Sequence, residues 1–273
     1  VCVNSALNLT SGGGTSYSWT GPAGFTSTIQ NPVISSVTAA AAGIYYVTVI
    51  NVNSCVDSDS VTVVVNNLPV ATAGSNSPVC VNSALNLTSG GGTSYSWTGP
   101  GGFTSTSQNP VLSSVTMASS GTYTVTVTNA NNCTAAATTA VTVNALPVIN
   151  PGSNSPVCEN STLNLTSGGG ASYSWTGPSG FTSVNQNPVV APVTMADSGT
   201  YTVTVTGGNG CTATATVPVV VNALPAVSVS SNSPVCVNSA LNLTSGGGTS
   251  YSWTGPGGFS STSQNPVISS VAT

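Results

Sequence analysis

Short runs in which apolar and polar residues alternate occur throughout the chain, and residues that favour turns separate these runs. In residues 85–88 and 95–97, for example, every second side chain is apolar, so one face of each run is apolar. Residues 123–128 place Tyr and Val on one face and Thr on the other. Clusters of Gly, Pro and Asn lie between the runs, while the strong helix formers Glu, Lys and Arg are almost absent. The pattern predicts an all-β chain of short strands.

This strand pattern recurs with a period of about 78 residues, which is the size of a small domain. The run CVNSALNLTSGGGTSYSWTGP stands at residues 2–22, 80–100 and 236–256, and a close variant stands at residues 158–178. We therefore expect three complete repeats and part of a fourth, each a separate domain. The first to fourth repeats are residues 1–69, 70–147, 148–225 and 226–273. Because the fourth repeat is incomplete, the chain is expected to come from a longer array.

Each full repeat contains about seven predicted strands, with turn signals every 8 to 12 residues, which is typical of an antiparallel sandwich. Residues 197–201, Asp-Ser-Gly-Thr-Tyr, resemble the corner that leads into strand F of immunoglobulin domains. The place of that fold's second cysteine holds valine in all three full repeats. The predicted fold is a tandem array of immunoglobulin-like antiparallel β-sandwiches. Its core is predicted to contain the recurring aromatic residues Trp19, Trp97, Trp175, Trp253, Tyr45, Tyr123 and Tyr201.

Cysteines recur in pairs, at the same two places in each full repeat. If the start of the first strand and the turn between strands F and G lie at the same end of the sandwich, each pair can form a bond within its repeat. The expected disulfides are Cys2–Cys55, Cys80–Cys133 and Cys158–Cys211, and Cys236 is expected to be unpaired because the chain is truncated. Each bond would stabilise a small, marginal domain by roughly 4 kcal/mol. Disulfides also predict secretion into an oxidising compartment.

The near absence of charge excludes several classes of function. The chain has no Lys, Arg or His and only four carboxylates, so it has no cations to neutralise phosphates and no imidazole for catalysis. Nucleic-acid binding is therefore not expected, and neither is an enzyme, a cofactor or a metal site. No run of about 18 apolar residues is present, so no membrane insertion is expected.

Four local patterns suggest a binding or modification site, each with a simpler explanation. Asp57 and Asp59 could bind calcium, but the other repeats have Ala at both places, which favours a solvated pair. Asn-Leu-Thr matches the N-glycosylation pattern, although an exposed strand explains it as well. Its asparagines are Asn8, Asn86, Asn164 and Asn242. The threonine face of strand F and the recurring aromatic residues could bind ice or glycans, but threonine suits strands and the aromatic residues suit a core.

The run SxSWTGPxGFxSxxQNPxISxVTxAxSGxYTVTVTxxxGCTATATxxVxVN resembles the immunoglobulin-like repeats of very large surface proteins of Bacteroidota. Those proteins are similar to gliding and attachment adhesins exported by the type IX secretion system. The resemblance implies display at the cell surface, a stalk or adhesive fibre as the function, and surface ligands or neighbouring copies as partners. The alternative is a self-assembling, homo-oligomeric filament or sheath subunit, and an ice- or glycan-binding module is a minor alternative.

Overall fold

The computed structural model describes residues 1–272. Within this range the regular structure consists of β-strands and one-turn 3-10 helices, without an α-helix. The chain divides into two compact units, which begin at Val1 and at Pro147, and the first ends at Leu146. The all-β prediction is confirmed, because almost all strand pairs in both units are antiparallel and the sheets are those of immunoglobulin-like sandwiches.

The first repeat contributes six strands to the first unit. They are β1 (Leu7–Asn8), β2 (Ser16–Thr20), β3 (Thr26–Ser27), β4 (Val33–Ile34), β5 (Gly43–Ile50) and β6 (Val56–Val63). β1 pairs with β4 in one sheet, and the second sheet has the order β3-β2-β5-β6. The long hairpin β5–β6 corresponds to strands F and G of the immunoglobulin fold.

The second repeat adds nine strands, including a first strand that is split into two parts. They are β7 (Thr72–Ser75), β8 (Val79–Cys80), β9 (Leu85–Gly90), β10 (Ser94–Gly99), β11 (Phe103–Ser105), β12 (Val111–Leu112), β13 (Gly121–Thr128), β14 (Thr134–Val141) and β15 (Val143–Asn144). One sheet has the order β11-β10-β13-β14 and the other β12-β9-β7. After β7, the chain leaves the β9 sheet, and β8 pairs in parallel with β15 at the end of strand G.

The second unit repeats this arrangement in the third repeat and part of it in the fourth. The third repeat has β16 (Gly152–Ser153), β17 (Val157–Cys158), β18 (Leu163–Thr166), β19 (Ser172–Thr176), β20 (Thr182–Ser183), β21 (Val189–Val190), β22 (Gly199–Thr206), β23 (Thr212–Val219) and β24 (Val221–Asn222). The fourth has β25 (Ser228–Ser231), β26 (Leu241–Gly246), β27 (Trp253–Thr254), β28 (Ser260–Ser261) and β29 (Val267–Ile268). The one-turn helices are Pro22–Gly24, Ala39–Ala41, Pro100–Gly102, Met117–Ser119, Pro178–Gly180, Met195–Asp197 and Pro256–Gly258.

The recurring aromatic residues lie between the two sheets of each full repeat. In the second repeat Trp97 and Tyr123 are fully buried, together with Leu85 and Val125. The buried residues at the same places in the other full repeats are Trp19, Tyr45, Trp175 and Tyr201. Trp253 differs from the core prediction, because it is only half-buried. Its repeat has, among residues 226–272, no strands that correspond to β13 and β14 and could cover it.

The tyrosine near the start of strand F forms the hydrogen bond that is typical of an immunoglobulin corner. Tyr123 Oη donates to the Ser119 carbonyl at 3.0 Å, and its ring meets the edge of Phe103 with the ring centroids 5.5 Å apart. In the first and third repeats the tyrosine hydroxyl donates at 3.0 and 3.2 Å to the carbonyl four residues upstream. The corner therefore fixes the start of strand F in every full repeat.

Candidate functional site at the junction of the first two repeats

The cysteine near the start of each full repeat lies at the end of the sandwich where strand G finishes and the chain leaves the repeat. In the second repeat the parallel pairing of β8 with β15 places Cys80 opposite Asn144. In the first repeat Cys2 forms a parallel bridge with Asn66, and the Val3 amide donates to the Asn66 carbonyl at 2.9 Å. Cys2 is therefore held where strand G ends and the chain leaves for the second repeat.

The second cysteine of each full repeat lies at the opposite end of the sandwich, where strand G begins. Cys133 follows the turn between β13 and β14, so it stands at the beginning of strand G, whereas Asn144 stands at its end. At about 3.3 Å per residue, the strand between them spans roughly 35 Å. Since disulfide-bonded cysteines have Cα atoms within about 7 Å, Cys80 cannot reach Cys133 in the same repeat.

The structure instead links one repeat to the next. Cys2 of the first repeat forms a disulfide with Cys133 of the second, with the Cα atoms 5.6 Å apart and 131 residues of separation along the chain. The predicted bonds Cys2–Cys55 and Cys80–Cys133 are therefore wrong. The prediction placed the first cysteine at the near end of the sandwich, whereas the crossing from β7 to β8 carries it to the far end.

The remaining cysteines divide into two groups. Cys55 and Cys158, both predicted to be bonded, are free and exposed, so the predicted bond Cys158–Cys211 is also wrong. Cys236 is free and exposed as well. Cys80 and Cys211 are both disulfide-bonded.

A side chain of the strand F–G turn extends the junction beyond the disulfide. Asn129 Nδ2 donates to the Asn67 carbonyl at 3.0 Å, in the connection that follows the first repeat. Its Oδ1 accepts the backbone amides of Asn131 and Cys133, each at 3.0 Å, and so holds the turn closed. No role for Asn129 was predicted from the sequence. The sequence feature that could have indicated this role is an Asn at the start of a short turn, where the Asn side chain commonly accepts hydrogen bonds from backbone amides.

The disulfide at the junction is also partly shielded from solvent. The Cys133 side chain is buried, while Cys2 is half-buried. The Asn66 amide donates to the Val1 carbonyl at 2.8 Å, so the residues on both sides of Cys2 pair with the end of strand G. The site therefore joins three segments of the first unit: the start of the first repeat, its end, and the strand F–G turn of the second repeat. It holds the two repeats together.

The candidate calcium ligands do not form a shared site. Asp57 and Asp59 are exposed on β6, and each Oδ1 accepts the backbone amide of the next residue, at 2.8 and 2.7 Å. Among residues 1–272, no group of three or more His, Cys, Asp or Glu side chains is placed to hold a metal ion.

The polar surface of the strands is as the alternating pattern indicates. The Asn-Leu-Thr asparagines Asn8, Asn86, Asn164 and Asn242 are all exposed. On β13, Thr122 and Thr126 are exposed, while Thr124 and Thr128 are half-buried beside their neighbours on β14. No helix among the described residues is long and apolar enough to span a membrane.

Asp197 is the one buried carboxylate among the described residues, and its role is structural. Its Oδ2 accepts the Thr194 backbone amide at 2.7 Å and the Thr194 hydroxyl at 2.9 Å, which closes the one-turn helix before strand F. The backbone hydrogen bond from Thr194 lowers the pKa of this carboxyl, and the Thr194 and Ser179 hydroxyls lower it further, against the opposing effect of burial. The first two repeats have Ala41 and Ser119 at this place.

A family model described as the PKD domain matches residues 60–144, which include the end of β6, the connection after it and most of the second repeat. No curated protein matches the chain.

Several solved structures match at low identity. Murine CEACAM1b is 14% identical, with 56% of this chain and 100% of that chain covered and a TM-score of 0.31. The three N-terminal domains of the outer capsid protein Hoc of bacteriophage RB49 are 15% identical, with 82% and 95% covered and a TM-score of 0.37. Amphioxus IgVJ-C2 is 16% identical, with 52% and 99% covered and a TM-score of 0.26. With its own sheet topology and the PKD match, the chain is an immunoglobulin-like repeat protein.

Proposed function

We propose that this chain serves as the stalk or adhesive fibre of a bacterial cell-surface protein and catalyses no reaction. The observation that carries this proposal is the disulfide from Cys2 to Cys133, which joins one sandwich to the next. A bond inside a domain stabilises that domain alone, whereas a bond between domains preserves their connection. Such a connection suits a protein whose task is to hold two places apart or together.

The bonded cysteines also support an extracellular location. Disulfides persist in oxidising environments, and PKD and immunoglobulin-like domains commonly serve adhesive or structural roles outside the cell. The resemblance to Bacteroidota surface repeats favours display through the type IX secretion system. Repetition of the same domain multiplies weak contacts with a surface ligand without new chemistry.

The side chains of the chain offer little for catalysis. Without His, Lys or Arg, the many hydroxyl groups have no base to activate them and no cation to stabilise an oxyanion. Of the four carboxylates, Asp197 accepts hydrogen bonds in a turn, and Asp57 and Asp59 are exposed to solvent. We therefore infer a binding or structural role.

A second candidate function, a self-assembling filament, is favoured by one surface of the first repeat. Ile44, Tyr46, Ile50 and Val56 lie on the outward face of β5–β6 and are 46%, 52%, 37% and 63% exposed. The second repeat has Thr at all four corresponding places. An exposed apolar strip on a chain with a net charge of only −4 would favour contact with a neighbouring copy.

Sedimentation and negative-stain electron microscopy of the oxidised chain distinguish the two functions. A stalk predicts separate chains whose sedimentation is independent of concentration. A filament predicts ordered polymers that are lost in the variant Ile44→Thr/Tyr46→Thr, which carries the residues of the second repeat. Inhibition of ice recrystallisation by the separate chains would contradict both and favour the ice-binding alternative.

Adhesion itself is tested with beads that carry many copies of the oxidised chain. If the chain is adhesive, the beads adhere to a glycan- or protein-coated surface under flow while the free chain binds too weakly to compete at the same molar concentration. Beads that adhere to no surface would limit the proposal to a stalk.

A further inference from the structure

We propose that the Cys2–Cys133 disulfide is a mechanical bypass, through which tension crosses from the start of the first repeat to strand G of the second, without passing through the core of the first repeat or the other strands of the second. This inference goes beyond the proposed function, because it holds whatever ligand the chain binds. It rests on the positions of the two cysteines in the fold, and on the strands that connect them to the rest of the chain.

The covalent path explains the bypass. Tension applied at Val1 reaches Cys2 at the next residue and then has two routes toward the end of the second repeat. One route follows all of the chain from Cys2 to Cys133. The other crosses the disulfide at once and continues along strand G. Because covalent bonds do not stretch appreciably, the shorter route carries the load, and the loop of residues 3–132 carries none.

The loop that is relieved of load contains most of the folded structure. It includes every strand of the first repeat, and β7 to β13 of the second, with the buried residues Trp97 and Tyr123. Only strand G of the second repeat, β14 and β15, lies on the loaded route. The whole core of the first repeat and most of the second core therefore lie within this loop, and only the strand G residues Val141 and Val143 of the second core lie on the loaded route.

The loaded strand is held along its whole length. β14 pairs with β13 from Thr134 opposite Thr128 to Val141 opposite Gly121. β15 then pairs in parallel with β8, where Val143 lies opposite Val79. Tension that enters at Cys133 and leaves at the connection after Asn144 runs parallel to this strand, so it loads the pairs in shear together. Asn129, whose amide holds the Asn67 carbonyl, keeps the turn beside the bond while the strand is loaded.

The expected difference in length is large. The bond removes residues 3–132 from the covalent path between Val1 and Val148, so that only residues 1–2 and 133–148 remain on it. At about 3.4 Å per extended residue, the oxidised chain can reach roughly 55 Å between these points, and the chain without the bond roughly 500 Å. The bypass therefore predicts about a ninefold difference in the greatest extension.

Single-molecule pulling on the full chain of 273 residues tests the proposal. The chain has no Lys, so the α-amino group of Val1 is its sole amine and accepts one handle. The second handle is attached through Val148→p-azidophenylalanine, at a side chain that is 86% exposed. This position lies just after the second repeat, at the end of the loaded strand G.

Three chains are compared under increasing force. The parent and the control variant Cys55→Ser/Cys158→Ser, which removes two free cysteines, are expected to stop at roughly 55 Å. The variant Cys2→Ser/Cys133→Ser is expected to unfold in steps to roughly 500 Å. Repetition in concentrated guanidinium chloride removes the resistance of the sandwiches and reports the covalent path alone.

Two results would overturn the proposal. A parent chain that extends to the full length in buffer carries its load through the cores and not through the bond. A Cys2→Ser/Cys133→Ser variant that stays short in buffer, up to the force at which the handles break, shows that the repeats resist tension without a bypass. The same pulling experiment does not depend on adhesion, so its failure would leave the proposed stalk function standing, and failure of the adhesion test would leave the bypass standing.

Discussion

The glycine in the recurring Trp-Thr-Gly-Pro run offers a direct test of how the core is packed. Gly99 has φ −166° and ψ −174°, an extended backbone that any residue can adopt. A Cβ atom added there would lie 2.4 Å from Tyr123 Cδ1 and 2.6 Å from Cε1. The expected harm of Gly99→Ala is therefore a steric conflict with this ring and not backbone strain.

The tyrosine ring has little freedom to move away. Tyr123 is fully buried, its hydroxyl is bonded to the Ser119 carbonyl, and its ring meets the Phe103 edge. Carbon atoms pack at about 3.5 to 4.0 Å, so Gly99→Ala requires a displacement of roughly 1 Å. Overpacking of this kind costs about 1 to 3 kcal/mol, and loss of the tyrosine hydrogen bond would add about 1 kcal/mol. We expect the second repeat to lose about 2 to 4 kcal/mol of stability.

Hydrogen exchange of the amides in strand β13 measures this loss in the second repeat alone. Fluorescence of the four Trp would mix the repeats, whereas peptic fragments that span residues 119–130 differ in sequence from the matching fragments of the first and third repeats. A loss of about 2 to 4 kcal/mol accelerates exchange through opening of the repeat by roughly 30- to 700-fold.

The fourth repeat supplies the matched control. Gly255 stands in the same run, but the nearest atom to an added Cβ is Phe259 Cδ1 at 3.5 Å, an ordinary contact. Gly255→Ala should leave the exchange of fourth-repeat fragments, which Ser260 and Ile268 distinguish from those of the second repeat, within a few-fold of the parent. An equal effect of the two substitutions, or less than a threefold effect of Gly99→Ala on β13, would refute the reasoning.

Three further predictions concern single bonds. Tyr123→Phe leaves the half-buried Ser119 without the donor to its carbonyl, so the second repeat should lose about 1 kcal/mol and exchange its β13 amides roughly fivefold faster. Asp197→Ala should destabilise the third repeat by about 1 kcal/mol at neutral pH. Because the folded pKa is lowered, this stabilisation is present above the ordinary carboxyl pKa of about 3.9 and disappears as pH falls through the lowered value, so exchange rates of parent and variant should converge in acid. Peptic digestion without reduction should yield a fragment that joins Cys2 to Cys133, and one that joins Cys2 to Cys55 would contradict the fold.

The alternating pattern was sufficient to predict the strands, the two-sheet architecture and much of the core. Each of these features follows from the order of apolar and polar residues that lie close together in the sequence. Period-2 alternation buries one face of a strand, and recurrence of the whole pattern places Trp97 and Trp175 in equivalent surroundings. The corner tyrosine was also predictable, since Tyr123 reaches a carbonyl only four residues before it.

The partners of the cysteines were decided by the tertiary structure. Alternation shows which side chains face a sheet, but it does not show to which sheet a short strand belongs. The passage from β7 in one sheet to β8 beside β15 moves the first cysteine of a repeat by about the length of a domain. Cys2 is therefore 5.6 Å, between Cα atoms, from a cysteine 131 residues away and remote from the one in its own repeat. Local sequence determines the strands, whereas distances between strand ends follow from which sheet edges pair.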